Sequence, residues 1–469
     1  MIRRFVKNLS FSFLSLKEVP KAQRIIILTE IQFTGGNTKS MGKHANRIGA
    51  VFLVLILVLT VLSVYKRGNV PAAANRFQLT PRAEKTPGIP SETVHAQQQE
   101  AADVVQAGQS TGEKTANGEQ NPAAGQAAPT QETVVEYTPA NPAVEPVPMP
   151  AEVRGVYATG WIAGSSKYFP SLLNFIDKTA INTLVIDVKD DMGTFTYESR
   201  IPLAVQIGAG MKKVGDMVAL MKTLKERNIY PIARIVVFKD PRLAEARPDL
   251  AVKNKSGGVW RDRKGLAWVD PHSREVWKYA VDVAEEAMSF GFKEIQFDYV
   301  RFTSDGKISD CVYPYADGKS KEDTIKEFLE YARERLKPYG AVISADIFGL
   351  VCSVQDDLGI GQKLEKIGAA VDILSPMVYP SHYYKGTYGL ANPNLAPYET
   401  VTQSMIDAKN RLAGIDVKLR PWLQDFNLGS RYGREQIMAQ IKALNDQGIR
   451  DWLFWNPSCR YDAGKYPTE

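Results

Sequence analysis

Residues 293–348 contain KEIQFDYVRF at 293–302, TIKEFLEYARERL at 324–336 and AVISADIF at 341–348. The outer two segments are rich in Val, Ile, Phe and Tyr and are bounded by turn residues, Gly291 before and Pro338-Tyr339-Gly340 between, which reads as two strands. The middle segment puts Ile325, Phe328, Leu329, Ala332 and Leu336 on one helical face. A strand, a helix and a second strand make a parallel pair with a right-handed crossover. The unit repeats outward in both directions. Further strand candidates are RGVYATGW (154–161), TLVIDVKD (183–190), YPIARIVVF (230–238), DILSPMVYP (372–380), KLRPWLQDF (418–426) and DWLFWNP (451–457). Helical stripes fall between them, such as Val214, Met217, Val218, Met221 and Leu224, or Val276, Tyr279, Ala280, Val283 and Ala287. Eight repeats in about 300 residues predict an α/β protein with a (β/α)8 TIM barrel over 151–469. A doubly wound open sheet would carry a glycine-rich phosphate turn, and neither GxGxxG nor a Walker sequence is present. The chain ends soon after the eighth strand, so the last helix is expected to be short or missing.

Active sites of such barrels form at the C-terminal strand ends. Alternation sorts the candidates, because successive side chains face opposite sides of a strand. In the fourth strand Ile295, Phe297 and Tyr299 suit the helix layer, which turns Gln296 and Asp298 into the lumen. In the fifth, Ile343, Ala345 and Ile347 suit the helices, which turns Ser344 and Asp346 inward. Asp298 and Asp346 thus stand on adjacent strands, about 4.8 Å apart, close enough to flank one bond. Paired carboxylates suit glycosidic cleavage: one protonates the leaving oxygen while the other attacks or activates water. The bland alternative is a strand-end Asp that caps a helix or pairs with Arg. Asp425 ends the seventh strand in outward phase and joins the pair only if a bulge turns it; Gln424 is the better-phased lumen residue. Asp187, Lys189 and Arg234 are inward and form either a substrate-binding group or a neutralised barrel network. Arg301, near the end of strand four, is placed to hold a carboxylate in its ionised form.

Sugar rings present apolar C–H faces, and aromatic platforms suit them. Trp161, Trp260, Trp268, Tyr379, Tyr383, Tyr384 and Trp455 fall at strand ends or in the following loops, where core packing is the competing role. The long connection from Lys239 to His272 resembles a binding insertion. His272 and His382 stand in no HxH or HExxH arrangement, so no metal is expected, nor is an organic cofactor. No GxSxG elbow appears. Cys311 and Cys352 lie on neighbouring loops and in an oxidising exterior could form a disulfide; otherwise they are free thiols.

The first 150 residues differ. Ile48–Tyr65 is an uncharged run, IGAVFLVLILVLTVLSVY, of 18 residues. It spans about 27 Å as a helix, close to the roughly 30 Å hydrocarbon core of a bilayer. Residues 48–65 are therefore expected to be a single transmembrane signal-anchor, with a cleaved signal peptide as the alternative. The basic excess of residues 1–47 places the N-terminus in the cytoplasm and the remainder outside the cell membrane. Met41 offers a second start, which would make residues 1–40 an upstream extension. Residues 66–150 are rich in Ala, Gln, Pro, Glu, Thr and Gly, with Phe77 and Tyr137 the only aromatics, and are expected to be a disordered linker. Their root-mean-square reach is about 50 Å. All seven Trp lie beyond residue 150. The net charge is +6, but residues 151–469 hold 43 Lys/Arg against 41 Asp/Glu, so no nucleic acid is expected as a partner.

Taken in order, RGVYATGW, NTLVIDVKDD, KEIQFDYVRF, SADIFG, DILSPMVYPSHY and LRPWLQDF resemble a bacterial family of glycosyl hydrolase domains of otherwise unknown function. The resemblance covers essentially all of 151–469 and implies a (β/α)8 barrel related to glycoside hydrolases. More remotely, α-amylase-like barrels place an Asp nucleophile after strand four, a Glu acid after strand five and an Asp after strand seven. Asp298, Asp346 and Asp425 occupy the matching strands, the second being one methylene shorter than Glu. The expectation is a membrane-anchored, extracytoplasmic glycoside hydrolase, monomeric, acting on a polysaccharide or cell-wall glycan. The alternative is a non-catalytic carbohydrate-binding barrel in wall or spore-coat assembly.

Overall fold

The computed structural model describes residues 142–468. The expected membrane span at 48–65 and basic segment at 1–47 lie outside the described residues, as does the linker up to 141. Among the described residues no helix is long and apolar enough to cross a membrane.

Nine strand segments form one sheet: β1 (Arg154–Ala158), β2 (Thr183–Lys189), β3 (Tyr230–Val236), β4 (Glu294–Asp298), β5 (Val342–Phe348), β6 (Ile373–Met377), β7 (Lys418–Leu419), β8 (Trp422–Gln424) and β9 (Trp452–Trp455). Every pairing is parallel. β1 pairs with both β2 and β9, and β5 with both β4 and β6, which closes the sheet into a barrel. β7 and β8 are one stave interrupted at Arg420-Pro421. Proline has no N–H to give the ladder, although its carbonyl still accepts from Leu453 N at 3.0 Å. The staves therefore number eight, as the repeat predicts.

Helices α1 (Phe169–Ile176), α2 (Met217–Glu226), α3 (Arg274–Phe290), α4 (Lys321–Leu336), α5 (Leu364–Ala370), α6 (Pro397–Arg411) and α7 (Arg434–Asp446) follow the first seven staves. After β9 the described residues contain only a short 3-10 turn, Ala463–Lys465. The α4 stripe read from sequence is buried in full, each large apolar side chain contributing roughly 1.5–3 kcal/mol. Ser320 starts that helix by accepting from Asp323 N at 3.1 Å, and Glu322 and Asp323 in the first turn suit the helix dipole. α3 ends at Gly291, whose φ of +114° favours glycine; an added Cβ would meet Val144 O at 2.4 Å. That contact belongs to a segment packed upstream of residue 151, where Val144 and Val147 are both buried and Ala143 N donates to Ser289 O at 2.8 Å.

The two strand faces differ. Ile295, Phe297, Ile343, Ala345 and Ile347 pack against the helices, as alternation predicts. The lumen starts with an apolar cluster that includes Val153, Val185, Ile232 and Leu453. Amid it Arg420 and Glu294, both fully buried, form an ion pair; Ser344 Oγ donates to the same carboxylate at 2.7 Å and Tyr230 OH at 3.2 Å. Gln296 Nε2 reaches Ser375 Oγ at 3.3 Å.

Candidate active site

A cavity of about 1430 Å³ opens beyond this layer, lined by residues from the ends of most staves and the loops that follow. Asp298 is the last residue of β4. The β4–β5 register pairs Gln296 with Ser344 and Phe297 with Ala345, so the next step puts Asp298 beside Asp346. Both line the cavity, together with Asp187, Arg234, Arg301, Trp161, Trp268, Tyr379 and Trp455.

Arg234 organises the floor. Its Nε and Nη2 donate to Asp298 Oδ2 at 2.9 and 2.5 Å, and its Nη1 to Asp187 Oδ1 at 2.5 Å. Burial opposes the guanidinium charge, but Asp298 and Asp187 outweigh it and hold the group well above its ordinary value. Asp187 also accepts from Tyr157 OH at 2.5 Å; burial raises its proton affinity while Arg234 and Tyr157 pull the other way. Tyr157 stacks on Trp455 with centroids 3.9 Å apart, and Arg234 lies 5.3 Å from the Trp455 ring. Trp455 therefore packs the arginine in place.

Asp346 has a different environment. Trp422 Nε1 donates to its Oδ1 at 2.8 Å, and among the described residues no cation pairs with it. Burial, and then the nearby charge of Asp298, push its pKa well above the usual carboxylate range; Arg234 and the Trp422 bond only partly offset this. Asp298 Oδ1 accepts from Tyr299 N at 2.5 Å. Tyr299 holds a φ of +49°, a costly conformation for a residue with a side chain. This overturns the alternation at that residue: the left-handed turn breaks the strand, so Tyr299 lines the cavity.

Three sequence candidates stand elsewhere. Lys189 follows a register shift in β2, does not line the cavity, and pairs with Asp240 at 2.8 Å while donating to Val236 O at 2.6 Å. Gln424 is fully buried and bonds Ser381 N and Phe426 O. Asp425 keeps its outward phase, with no bulge to turn it, and is held by Lys465 Nζ at 2.8 Å and Tyr466 OH at 2.9 Å. Trp260 is also away from the cavity, its indole donating to Lys307 O at 3.1 Å. Of the two readings open for Cys311 and Cys352, disulfide or free thiols, the structure has the second: both are free, as is Cys459. Cys311 contacts Thr303 Oγ1 at 3.5 Å, whereas Cys352 is sealed in the helix–barrel core, where burial pushes its thiol up to about 12.

Sequence reasoning missed Tyr157, Trp422 and Lys239. Trp422 shares the phase of Gln424 and could have been found from it. Lys239 reaches Asp191 at 2.9 Å across two loops that carry no common periodicity. The Lys239–His272 connection does supply the wall, through Asp262, Lys264, Leu266 and Trp268. Of the aromatic candidates on the cavity, Trp161 stands out as 59% exposed, at the rim. His382 lines the wall as neutral imidazole, its pKa lowered to about 3 by burial. Among the described residues no cluster of His, Cys, Asp and Glu could hold a metal ion.

No curated protein matches the sequence. Among solved structures, the chain is similar to a hypothetical protein from Ruminiclostridium thermocellum ATCC 27405, at 41% identity over 44% of this chain and 98% of that one, with a TM-score of 0.38. It is similar to the PgaB (BpsB) glycoside hydrolase domain from Bordetella bronchiseptica at 14% identity, over 66% and 95% of the two chains, with a TM-score of 0.48. The corresponding values for alpha-L-fucosidase isoenzyme 2 from Paenibacillus thiaminolyticus are 13% identity, 67% and 48% coverage, and a TM-score of 0.44. The model of one family matches residues 155–461, almost the whole barrel, and this chain belongs to that family, described as "Putative glycosyl hydrolase domain".

Proposed function

We propose that this protein is a glycoside hydrolase, tethered to the cell membrane through residues 48–65, that cleaves a polysaccharide outside the cytoplasm with Asp346 as general acid and Asp298 as nucleophile or base. The observation that carries the assignment is the unequal environment of the two carboxylates. Asp298 is ion-paired with Arg234 at 2.5 Å. Asp346 has no cation partner among the described residues, and burial, then the nearby Asp298, raises its pKa well above the usual carboxylate range. Register-neighbour carboxylates in such unequal surroundings can supply an acid and a base for one glycosidic bond. The acid would protonate the departing oxygen while Asp298 attacks the anomeric carbon or takes a proton from water.

The ion pair between Arg234 and Asp298 also suits the second reading, a carbohydrate-binding barrel without turnover. The test is a screen of the full-length protein against peptidoglycan, secondary wall polymers and α- and β-glucans, with the two Asn variants measured on whatever is cleaved. Asp346→Asn is expected to lower kcat about 10²–10⁴-fold and to remove the alkaline limb of the pH profile. That limb reports loss of the proton from Asp346, so wild-type activity falls as pH rises through its raised pKa. Asp298→Asn is expected to abolish turnover with the fold retained. Glycan binding without cleavage by the wild type would favour the binding barrel.

A further inference from the structure

We propose that Arg301 is the receptor for a carboxylate carried by the sugar, so that the cavity takes an acidic glycan. This deepens the hydrolase reading and rests on it for the position of the cleaved bond. Arg301 lies three residues beyond Asp298 on the loop leaving β4, only 6% exposed, and lines the cavity. Its Nη1 donates to two neutral acceptors, Phe302 O at 3.0 Å and Ser304 Oγ at 2.8 Å. Among the described residues its Nε and Nη2 have no hydrogen-bond acceptor, and no carboxylate forms an ion pair with it. The other buried cations of the wall are paired: Lys213 with Asp190 at 2.5 Å, Lys239 with Asp191 at 2.9 Å, Arg234 with Asp187 and Asp298.

Three rings surround the Arg301 guanidinium, those of Trp268, Tyr299 and Phe348, with centroids 4.9, 5.0 and 4.7 Å from its central carbon. Aromatic faces tolerate the cation but cannot accept its in-plane N–H groups. They leave a planar fork with unused donors, whose geometry matches a carboxylate taken by two parallel hydrogen bonds. Burial works against its charge; Tyr299, Asp305, Asp298 and Asp262 lie near enough to oppose that loss. Asp262 is already engaged by Trp268 Nε1 at 3.2 Å and by the N–H groups of Lys264 and Leu266, and Asp298 by Arg234. An incoming carboxylate would supply the direct partner that the fold leaves out. Because Arg301 stands three residues beyond the strand-end Asp298 and both line the cavity, that carboxylate would sit on a ring at or near the cleaved bond. A hexuronic acid carries such a group on its ring, and muramic acid carries one on a lactyl ether.

The experiment is titration calorimetry of the full-length protein carrying Asp298→Asn with two acidic tetrasaccharides. One is an oligoglucuronate and the other a peptide-free N-acetylglucosamine–N-acetylmuramic acid repeat, each compared with its carboxyl-reduced form. At least one acidic form is expected to bind about tenfold tighter than its reduced form, and the arm that responds identifies the carboxylate. Adding Arg301→Gln should bring the two forms within about twofold, with Arg301→Lys intermediate, because a point charge lacks the fork. Equal binding of acidic and reduced forms, no binding of either acidic probe, or a preference that survives Arg301→Gln would overturn the proposal. The acidic-versus-reduced comparison needs no change at Arg301, so a misfolded variant does not protect the idea. Hydrolysis by the wild type is read separately: acidic binding without cleavage removes the hydrolase reading alone. Equal cleavage of acidic and neutral glycans removes the Arg301 assignment alone.

Discussion

At the scale of single residues, the site is governed by which carboxylate receives a counter-charge. Arg234 spends three donors on Asp187 and Asp298, while Asp346 accepts from the neutral indole of Trp422. A carboxyl whose folded-state pKa is raised binds a proton that the unfolded chain has released. Stability therefore falls as pH rises from the unfolded value, near 4, to the raised folded one, and stays lower above it. Asp346→Asn removes this penalty while its amide oxygen can still accept from Trp422. The variant is expected to melt above the wild type at pH 7 or higher and to lose that advantage near pH 4, as followed by thermal unfolding across pH. A variant no more stable than wild type at neutral pH would mean that Asp346 is ionised there and is not the acid. Arg301 fits the same logic in reverse, as a cation of the site whose counter-charge arrives with the ligand.

Among elements, strand alternation carried the inference as far as the ladder stays regular. The repeat of apolar strand and amphipathic helix was enough for the barrel, because both periods follow from backbone geometry. Alternation placed Asp187, Arg234, Asp298 and Asp346 in the lumen, where they are found. It failed at Lys189, beyond the β2 register shift, and at Tyr299, where φ turns positive. Both departures occur at strand ends, where side chains are aimed by local turns rather than by pleat. The pair across the lumen, Glu294 with Arg420, was illegible for another reason. It joins staves four and seven, 126 residues apart, and no local pattern connects them. Both partners are fully buried, so loss of one leaves a buried charge without its counter-ion. Arg420→Met is expected to destabilise the domain by about 3–5 kcal/mol, read as a lower urea midpoint at unchanged slope. The double variant Glu294→Gln/Arg420→Met should recover part of that loss, because the orphaned charge is gone.

For the whole molecule, the cavity sets the size of the occupant. At about 1430 Å³ it exceeds the roughly 300–1000 Å³ typical of small-ligand pockets, which suits several sugar rings. Its floor holds the charged residues, and most of its aromatic side chains are already packed: Tyr157 covers one face of Trp455, and Trp268 and Tyr379 are buried. Trp161 differs. It is exposed at the rim, just after β1, with Lys213 Nζ 5.8 Å from its ring. A platform this exposed, while the floor carboxylates are buried, is suited to a ring removed from the cleaved bond. Trp161→Ala should therefore raise KM for long oligosaccharides and leave the shortest cleavable one unaffected. Covering about half of an indole surface gives roughly 1–2 kcal/mol, or about 5–30-fold in KM. Steady-state kinetics on a chain-length series checks this, with kcat expected to stay unchanged, since binding energy common to ground and transition states alters KM alone. A loss of the same size on the shortest substrate would place Trp161 beside the reacting ring, and the catalytic floor would then have to lie nearer the rim than Asp298 and Asp346 do.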